Sequence, residues 1–175
     1  WWALKEIWNK NLLYKGFKIV PYCPRCGTPL SAQEVAQGYK DVKERSAIAR
    51  FKVKDEDAYI LAWTTTPWTL PSNVALCVNP EEQYVKVKAA DGYTYYMAEA
   101  LLDTVLGSLE REEGTPAYEV LETYVGKDLE YKEYEPLYNF KKLDKKAHYV
   151  VCDTYVTLTD GTGVVHIAPA FGEDD

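Results

Sequence analysis

Hydroxyls packed into a stiff loop are the first chemically suggestive feature of this chain. In Trp63-Thr64-Thr65-Thr66-Pro67-Trp68-Thr69-Leu70-Pro71-Ser72-Asn73, three successive threonines end a strand-like run. Pro67 and Pro71 then fix φ and remove two backbone donors. Hydroxyls that both donate and accept suit a ribose, an ester carbonyl or a positioned water. Threonine also favours strands and tryptophan favours cores, which is the better account of an isolated Thr-Thr pair. Here the density of stiff residues points to a site instead.

The second segment is Gly161-Thr162-Gly163-Val164-Val165-His166-Ile167-Ala168-Pro169-Ala170-Phe171-Gly172-Glu173-Asp174-Asp175. A strand carrying His166, followed by a loop of small residues and three carboxylates, can build the wall and floor of a pocket for a cationic ligand. A lone histidine is more often a satisfied core residue, and a terminal acidic run is usually solvated. Either segment alone is weak.

The third is Cys23-Pro24-Arg25-Cys26-Gly27-Thr28-Pro29-Leu30. Two cysteines two residues apart in a Gly- and Pro-containing turn can aim both thiolates at one metal, for which zinc is the usual choice. Tetrahedral zinc needs four donors. Cys77 and Cys152 stand singly in apolar, strand-like runs and read as core residues, so Cys23 and Cys26 form half a site.

These residues must be held by a mainly β scaffold. The chain has 175 residues, 47% of them apolar and 15 of them tyrosine, enough for one principal core with a small appendage. Apolar spacing predicts a helix over 1–14, then a short strand over 17–22 leading into the cysteines. Strands are predicted over 47–53, 58–64, 74–78, 84–88, 93–97, 118–124, 149–158 and 164–168, with one covering helix over 98–109. The expected architecture is α+β: a mainly antiparallel, β-barrel-like sheet with a few covering helices. The expected division is 1–38 for the helix and half zinc knuckle, and 39–175 for the principal domain.

Net charge is −7, from 20 basic and 27 acidic residues. Tight autonomous nucleic-acid binding is not expected of such a surface, although contact with one single-stranded tip delivered by a neighbour is compatible with it. No run of 18 apolar residues and no leader pattern occurs, so a soluble, cytoplasmic protein is expected. The chain opens on Trp1 and Trp2 without an initiator methionine, which reads as a piece of something longer.

Taken together, the threonine-rich string and the string from Gly161 to Asp175 resemble the two signatures of the editing insertion in isoleucyl-tRNA synthetases. Cys23-Pro24-Arg25-Cys26-Gly27-Thr28-Pro29-Leu30-Ser31 matches the zinc-binding connection of the same family, so the likeness runs nearly end to end. Valyl and leucyl enzymes share the insertion and its fold. Their strip continues with arginine, proline and an acidic residue, where this chain has Thr65-Thr66-Pro67-Trp68.

The resemblance implies a proofreading ester hydrolase that removes valine wrongly attached to the isoleucine tRNA. Its partners would be the 3′ end of that tRNA and the remainder of the synthetase, with neither membrane nor DNA expected. The parent enzyme joins isoleucine to tRNA with ATP. Its signatures His-Ile-Gly-His and Lys-Met-Ser-Lys-Ser are absent here, so no ligase activity is expected of these residues. By family likeness, Thr64, Thr65, Thr66, His166 and Asp175 would be the catalytic set. Trp68, Asn73, Ala168 and Phe171 would contact substrate, and Asp175 would hold the α-ammonium. Editing would need no cofactor, whereas zinc at Cys23 and Cys26 would take further ligands from outside this chain.

Two rivals are a protein-binding module organised by the zinc knuckle, without catalysis, and a free-standing deacylase acting in trans. The first leaves the threonine and histidine segments unused. The second fits poorly with the start of the chain.

Overall fold

The computed structural model describes residues 1–175 apart from 108, 110–113, 115 and 173–175. The chain divides into two compact units, Trp1–Val42 and Lys43–Asp175.

In the first unit, α1 spans Trp2–Asn9 and is closed by Asn11 at φ 54. The Asn11 and Leu12 amides reach back to the carbonyls of Trp8 (2.9 Å) and Ile7 (3.2 Å). This Schellman closure, with asparagine in the left-handed position, stops the helix well before residue 14, where its periodicity placed the end. None of its residues is buried. Of the strand expected over 17–22, only the last residue is in β structure: β1 (Tyr22–Cys23) pairs antiparallel with β2 (Thr28–Pro29). Ser31 then caps α2 (Ala32–Gln37), its hydroxyl accepting the Glu34 N–H while the Glu34 carboxylate accepts the Ser31 N–H at 2.8 Å.

The second unit contains β3 (Ala47–Lys52), β4 (Tyr59–Thr64), β5 (Ala75–Val78), β6 (Gln83–Ala89), β7 (Thr94–Ala98), α3 (Leu102–Leu106), β8 (Tyr118–Val125), β9 (Tyr149–Cys152) and β10 (Val164–Ile167). Five strands form one sheet in the order β3-β4-β7-β6-β8, and three form another in the order β10-β5-β9. The pairs β4–β7 and β5–β9 are parallel, and the other pairs are antiparallel.

The α+β class is as expected, but among the described residues of this unit the strands make two open sheets and no closed barrel. The reason lies at Pro67. A proline cannot donate to a ladder, so β4 ends at Thr64 and the chain leaves its sheet through a 3-10 turn, Pro67–Ser72, before β5 starts the second sheet. The helix expected over 98–109 is shorter too, because β7 runs through Ala98 and a 3-10 turn, Glu99–Leu101, precedes α3.

One core joins the two sheets. Phe51, Ile60, Leu61, Tyr84, Val85, Tyr96 and Met97 from the larger sheet cluster with Leu76, Val78, Val150 and Val164 from the smaller. β4 lies against β10. A buried polar tie runs through this core: the Tyr84 hydroxyl donates to the Gly163 carbonyl at 2.6 Å and accepts the Asn79 N–H at 2.9 Å. Burial pushes that phenol's pKa up to about 12, so it remains a neutral donor. Among the described residues, no helix is long and apolar enough to cross a membrane.

Candidate functional site

The threonine loop and the histidine strand meet because β4 and β10 are packed together. Leaving β4, the buried Thr64 accepts the Thr66 N–H on Oγ1 at 3.0 Å, and its hydroxyl lies 3.3 Å from that of Thr66. The Thr66 carbonyl in turn accepts from the Thr69 N–H (3.0 Å) and the Thr69 hydroxyl (2.8 Å). These local bonds substitute for the ladder that Pro67 breaks, and they hold three threonines in fixed orientations. Thr65 is exposed, and its hydroxyl has no bonding partner within the protein among the described residues.

His166 approaches from β10. Its Nε2 lies 2.9 Å from Thr69 Oγ1, and both side chains are buried. A hydroxyl has one proton, and that of Thr69 is directed to the Thr66 carbonyl. The geometry therefore assigns the proton of the second bond to His166 Nε2, with Thr69 as acceptor. In that tautomer Nε2 is a donor and has no lone pair with which to accept a proton.

Trp63, Thr64, Thr65, Thr66, Trp68, Thr69, Val165, His166, Phe171 and Gly172 line a cleft of about 340 Å³. Of the residues predicted for the site, Thr64, Thr65, Thr66, Trp68, His166 and Phe171 are thus brought together. The Phe171 N–H bonds to the Ala168 carbonyl at 3.2 Å, and Ala170 at φ 74 makes the turn that brings Phe171 round.

Asn73 and Ala168, predicted to contact substrate, do not line this cleft. Ala168 is fully buried. The Asn73 amide donates to the carbonyls of Ala75 (2.8 Å) and Ile167 (3.5 Å), while its oxygen accepts from the Tyr134 hydroxyl at 2.6 Å. Its polar capacity is spent on pinning the loop to the end of β10. Burial raises the Tyr134 pKa far above the usual phenol range, only partly offset by its bond to Asn73, so the hydroxyl stays a donor. Asp175 lies outside the described residues.

Thr69 was absent from the predicted set, and Tyr134 with it. A threonine three residues beyond another, across a Thr-Pro step, was the available signal, since a turn begun by that proline returns the second hydroxyl to the first carbonyl. Tyr134 had no local signal.

In the first unit, the Cys26 N–H donates to Cys23 Sγ at 3.3 Å and the Gly27 N–H to the Cys23 carbonyl at 2.9 Å. The Cys26 amide, more than any other neighbour, lowers the Cys23 thiol pKa. Two thiols on one turn, the pKa of one of them lowered, fit half of a zinc site. Among the described residues no cluster of three or more metal-ligating side chains occurs.

With this geometry in view, comparisons with known proteins place the chain. It matches the family model of tRNA synthetases class I (I, L, M and V) over residues 1–158. The isoleucine-tRNA ligase of Clostridium kluyveri is 60% identical along all of this chain, which spans 16% of that ligase. The fold is that of leucyl-tRNA synthetase editing domains. The crystal structure of GlLeuRS-CP1 matches with a TM-score of 0.57 at 13% identity, covering 71% of this chain and 55% of that one. The P. knowlesi cytosolic leucyl-tRNA synthetase editing domain matches with a TM-score of 0.53 at 16% identity, covering 70% of this chain and 58% of that one. The chain therefore belongs to the class I tRNA synthetases of the I, L, M and V group.

Proposed function

We propose that this chain carries out post-transfer editing for an isoleucine-tRNA ligase, hydrolysing the ester of valine wrongly attached to the isoleucine tRNA in the cytoplasm. The observation that carries this reading is the pairing of Thr69 and His166 in a cleft walled by the Thr64–Thr66 hydroxyls.

The physical need is plain. Valine lacks one methylene of isoleucine, worth only about 1–3 kcal/mol in an apolar pocket, a range for which isoleucyl-tRNA synthetase is itself the standard example. A second, smaller sieve is required. Water adds to the ester carbonyl, the bond to the ribose oxygen breaks, and that oxygen leaves as a hydroxyl while valine is released.

In this chain the exposed Thr65 hydroxyl and the fixed Thr64 and Thr66 hydroxyls would hold the ribose and orient water, with the vicinal ribose hydroxyl assisting. With Nε2 donating to Thr69, His166 would fix the pocket wall beside the amino-acid side chain, not act as base through that nitrogen. Trp68 and Phe171 would close the space that isoleucine's extra carbon needs. Asp175 would hold the α-ammonium, an ionic hydrogen bond worth roughly 1.5–3 kcal/mol when partly desolvated. Cys23 and Cys26 would hold a structural zinc with donors from elsewhere in the ligase.

The test is deacylation of valyl-tRNA by this chain, with isoleucyl-tRNA as control, alongside binding of a non-hydrolysable valyl-adenosine mimic. Hydrolysis of the first tRNA alone is expected. Absence of both hydrolysis and mimic binding overturns the reading. The rival reading, a zinc-knuckle protein-binding module, draws no support from the relatives and leaves the cleft without a purpose.

A further inference from the structure

The chain is acidic overall, yet its surface charge is unevenly distributed. Residues 141–146, Lys-Lys-Leu-Asp-Lys-Lys, carry four lysines and one aspartate in a chain of net charge −7. All six residues are exposed. Lys146 is engaged by Glu133 at 2.7 Å, whereas Lys141, Lys142 and Lys145 pair with no carboxylate among the described residues. Immediately before them, Tyr138 and Phe140 stack with ring centroids 5.3 Å apart and planes 13° from parallel, Phe140 being 78% exposed.

The topology puts this segment at the same end of the smaller sheet as the loop and the arm that carry the cleft. In the sheet β10-β5-β9, Ala75 is paired with both Ile167 and Tyr149. Just before Ala75 comes the threonine loop, just after Ile167 the Ala168–Gly172 arm, and just before Tyr149 the basic segment, so all three meet at one end of the sheet. Backbone bonds tie them, from the Val74 N–H to the Ile167 carbonyl at 3.0 Å and from the His148 N–H to the Val74 carbonyl at 2.7 Å. A hollow of about 410 Å³ next to this junction is lined by Val74 with Leu143, Asp144, Lys145, Lys146 and Ala147.

We infer that the Tyr138–Phe140 stack together with Lys141, Lys142 and Lys145 forms a rail for the single-stranded end of an RNA, delivering that end to the cleft. Unpaired ammonium groups neutralise successive phosphates, and an open aromatic face accepts a base whatever its identity. The choice of RNA as occupant rests on the editing reading. The rail reconciles an acidic chain with a polyanionic substrate, because only the strip next to the cleft needs to be basic.

The experiment is fluorescence anisotropy of a labelled single-stranded RNA dodecamer with the whole chain. The variant K141A/K142A/K145A is expected to bind at least tenfold more weakly at low salt, with the slope of log affinity against log salt reduced by about 2, from roughly 0.7 per lost phosphate contact. Phe140→Ala is expected to weaken binding about tenfold. The charge-preserving K141R/K142R/K145R variant should bind as the unaltered chain does, which separates lost charge from lost folding. Failure of the unaltered chain to bind RNA, equal binding by the alanine variant, or equal competition by polyglutamate each overturns the inference. Hydrolysis of a valyl-adenosine ester is measured separately. RNA binding with neither that hydrolysis nor binding of the valyl-adenosine mimic leaves the rail standing and sinks the editing reading, and hydrolysis without RNA binding does the reverse.

Discussion

Thr69 Oγ1 and His166 Nε2 lie 2.9 Å apart although 97 positions separate them in the chain. The bond closes one wall of the cleft, and its donor is the imidazole. His166→Ala is therefore expected to loosen selection more than chemistry. Valyl-ester turnover should fall less than about tenfold, within the loss expected when an orienting contact and not an essential base is removed, while isoleucyl-ester turnover rises. Thr69→Ala should act in the same direction. The measurement is deacylation of both tRNAs by each variant. Abolished hydrolysis of both esters with intact binding of the valyl-adenosine mimic would restore His166 as the base.

Asn73 should prove a structural bracket. Its truncation to alanine leaves the buried Tyr134 hydroxyl and the Ala75 carbonyl without their partner. Loss of about 2–3 kcal/mol is expected from such unsatisfied groups, read as a lower urea midpoint. Tyr134→Phe, which removes a single hydroxyl, should cost about 1 kcal/mol. An Asn73→Ala chain with unchanged stability and weakened mimic binding would return Asn73 to the substrate.

The site was legible where its chemistry is dense along the chain. The threonine string and the histidine segment each show residues whose stiffness or polarity exceeds what a sheet needs, and both arms line one cleft. Asn73 shows the limit, since a polar residue inside a motif has the same appearance whether it faces ligand or carbonyl. The parallel pairs β4–β7 and β5–β9 were not legible, because alternation marks a strand without naming its neighbour. Tyr134 reaches Asn73 across 61 positions, and no local pattern encodes that. The basic segment at 141–146 was masked by the overall negative charge.

Acid should expose a second polar centre, away from the cleft. Burial raises the Glu56 pKa, but hydrogen bonds from Lys86, Tyr96 and Lys132 outweigh it and bring the pKa down from 4.5 to about 2. A depressed carboxylate contributes stability that is full above the unfolded pKa and is lost as pH falls through the folded one. The contribution, at most about 3 kcal/mol for a shift of this size, should therefore disappear between pH 4.5 and pH 2. Denaturation midpoints across that window should fall steeply for the unaltered chain and more gently for Glu56→Gln, which starts lower. Parallel curves for the two would remove Glu56 as a source of the acid limb.

Gly161 connects fold to cleft through Trp63. It sits at φ +79, and a Cβ there would lie 2.9 Å from Trp63 Cβ and 3.0 Å from two of its ring carbons. Trp63 lines both the cleft and a neighbouring hollow of about 190 Å³ that also contains Thr157, Thr159 and Asp160. Gly161→Ala thus meets two separate penalties: roughly 1–2 kcal/mol for left-handed backbone and a collision with an indole that must move. Gly161→Asn separates them, because asparagine tolerates positive φ yet still carries the Cβ. Both variants are expected to lower valyl-ester kcat/KM by displacing Trp63, with Asn recovering part of the stability and none of the activity. Recovery of both by Asn would make backbone strain the whole effect, and the indole would then be a bystander.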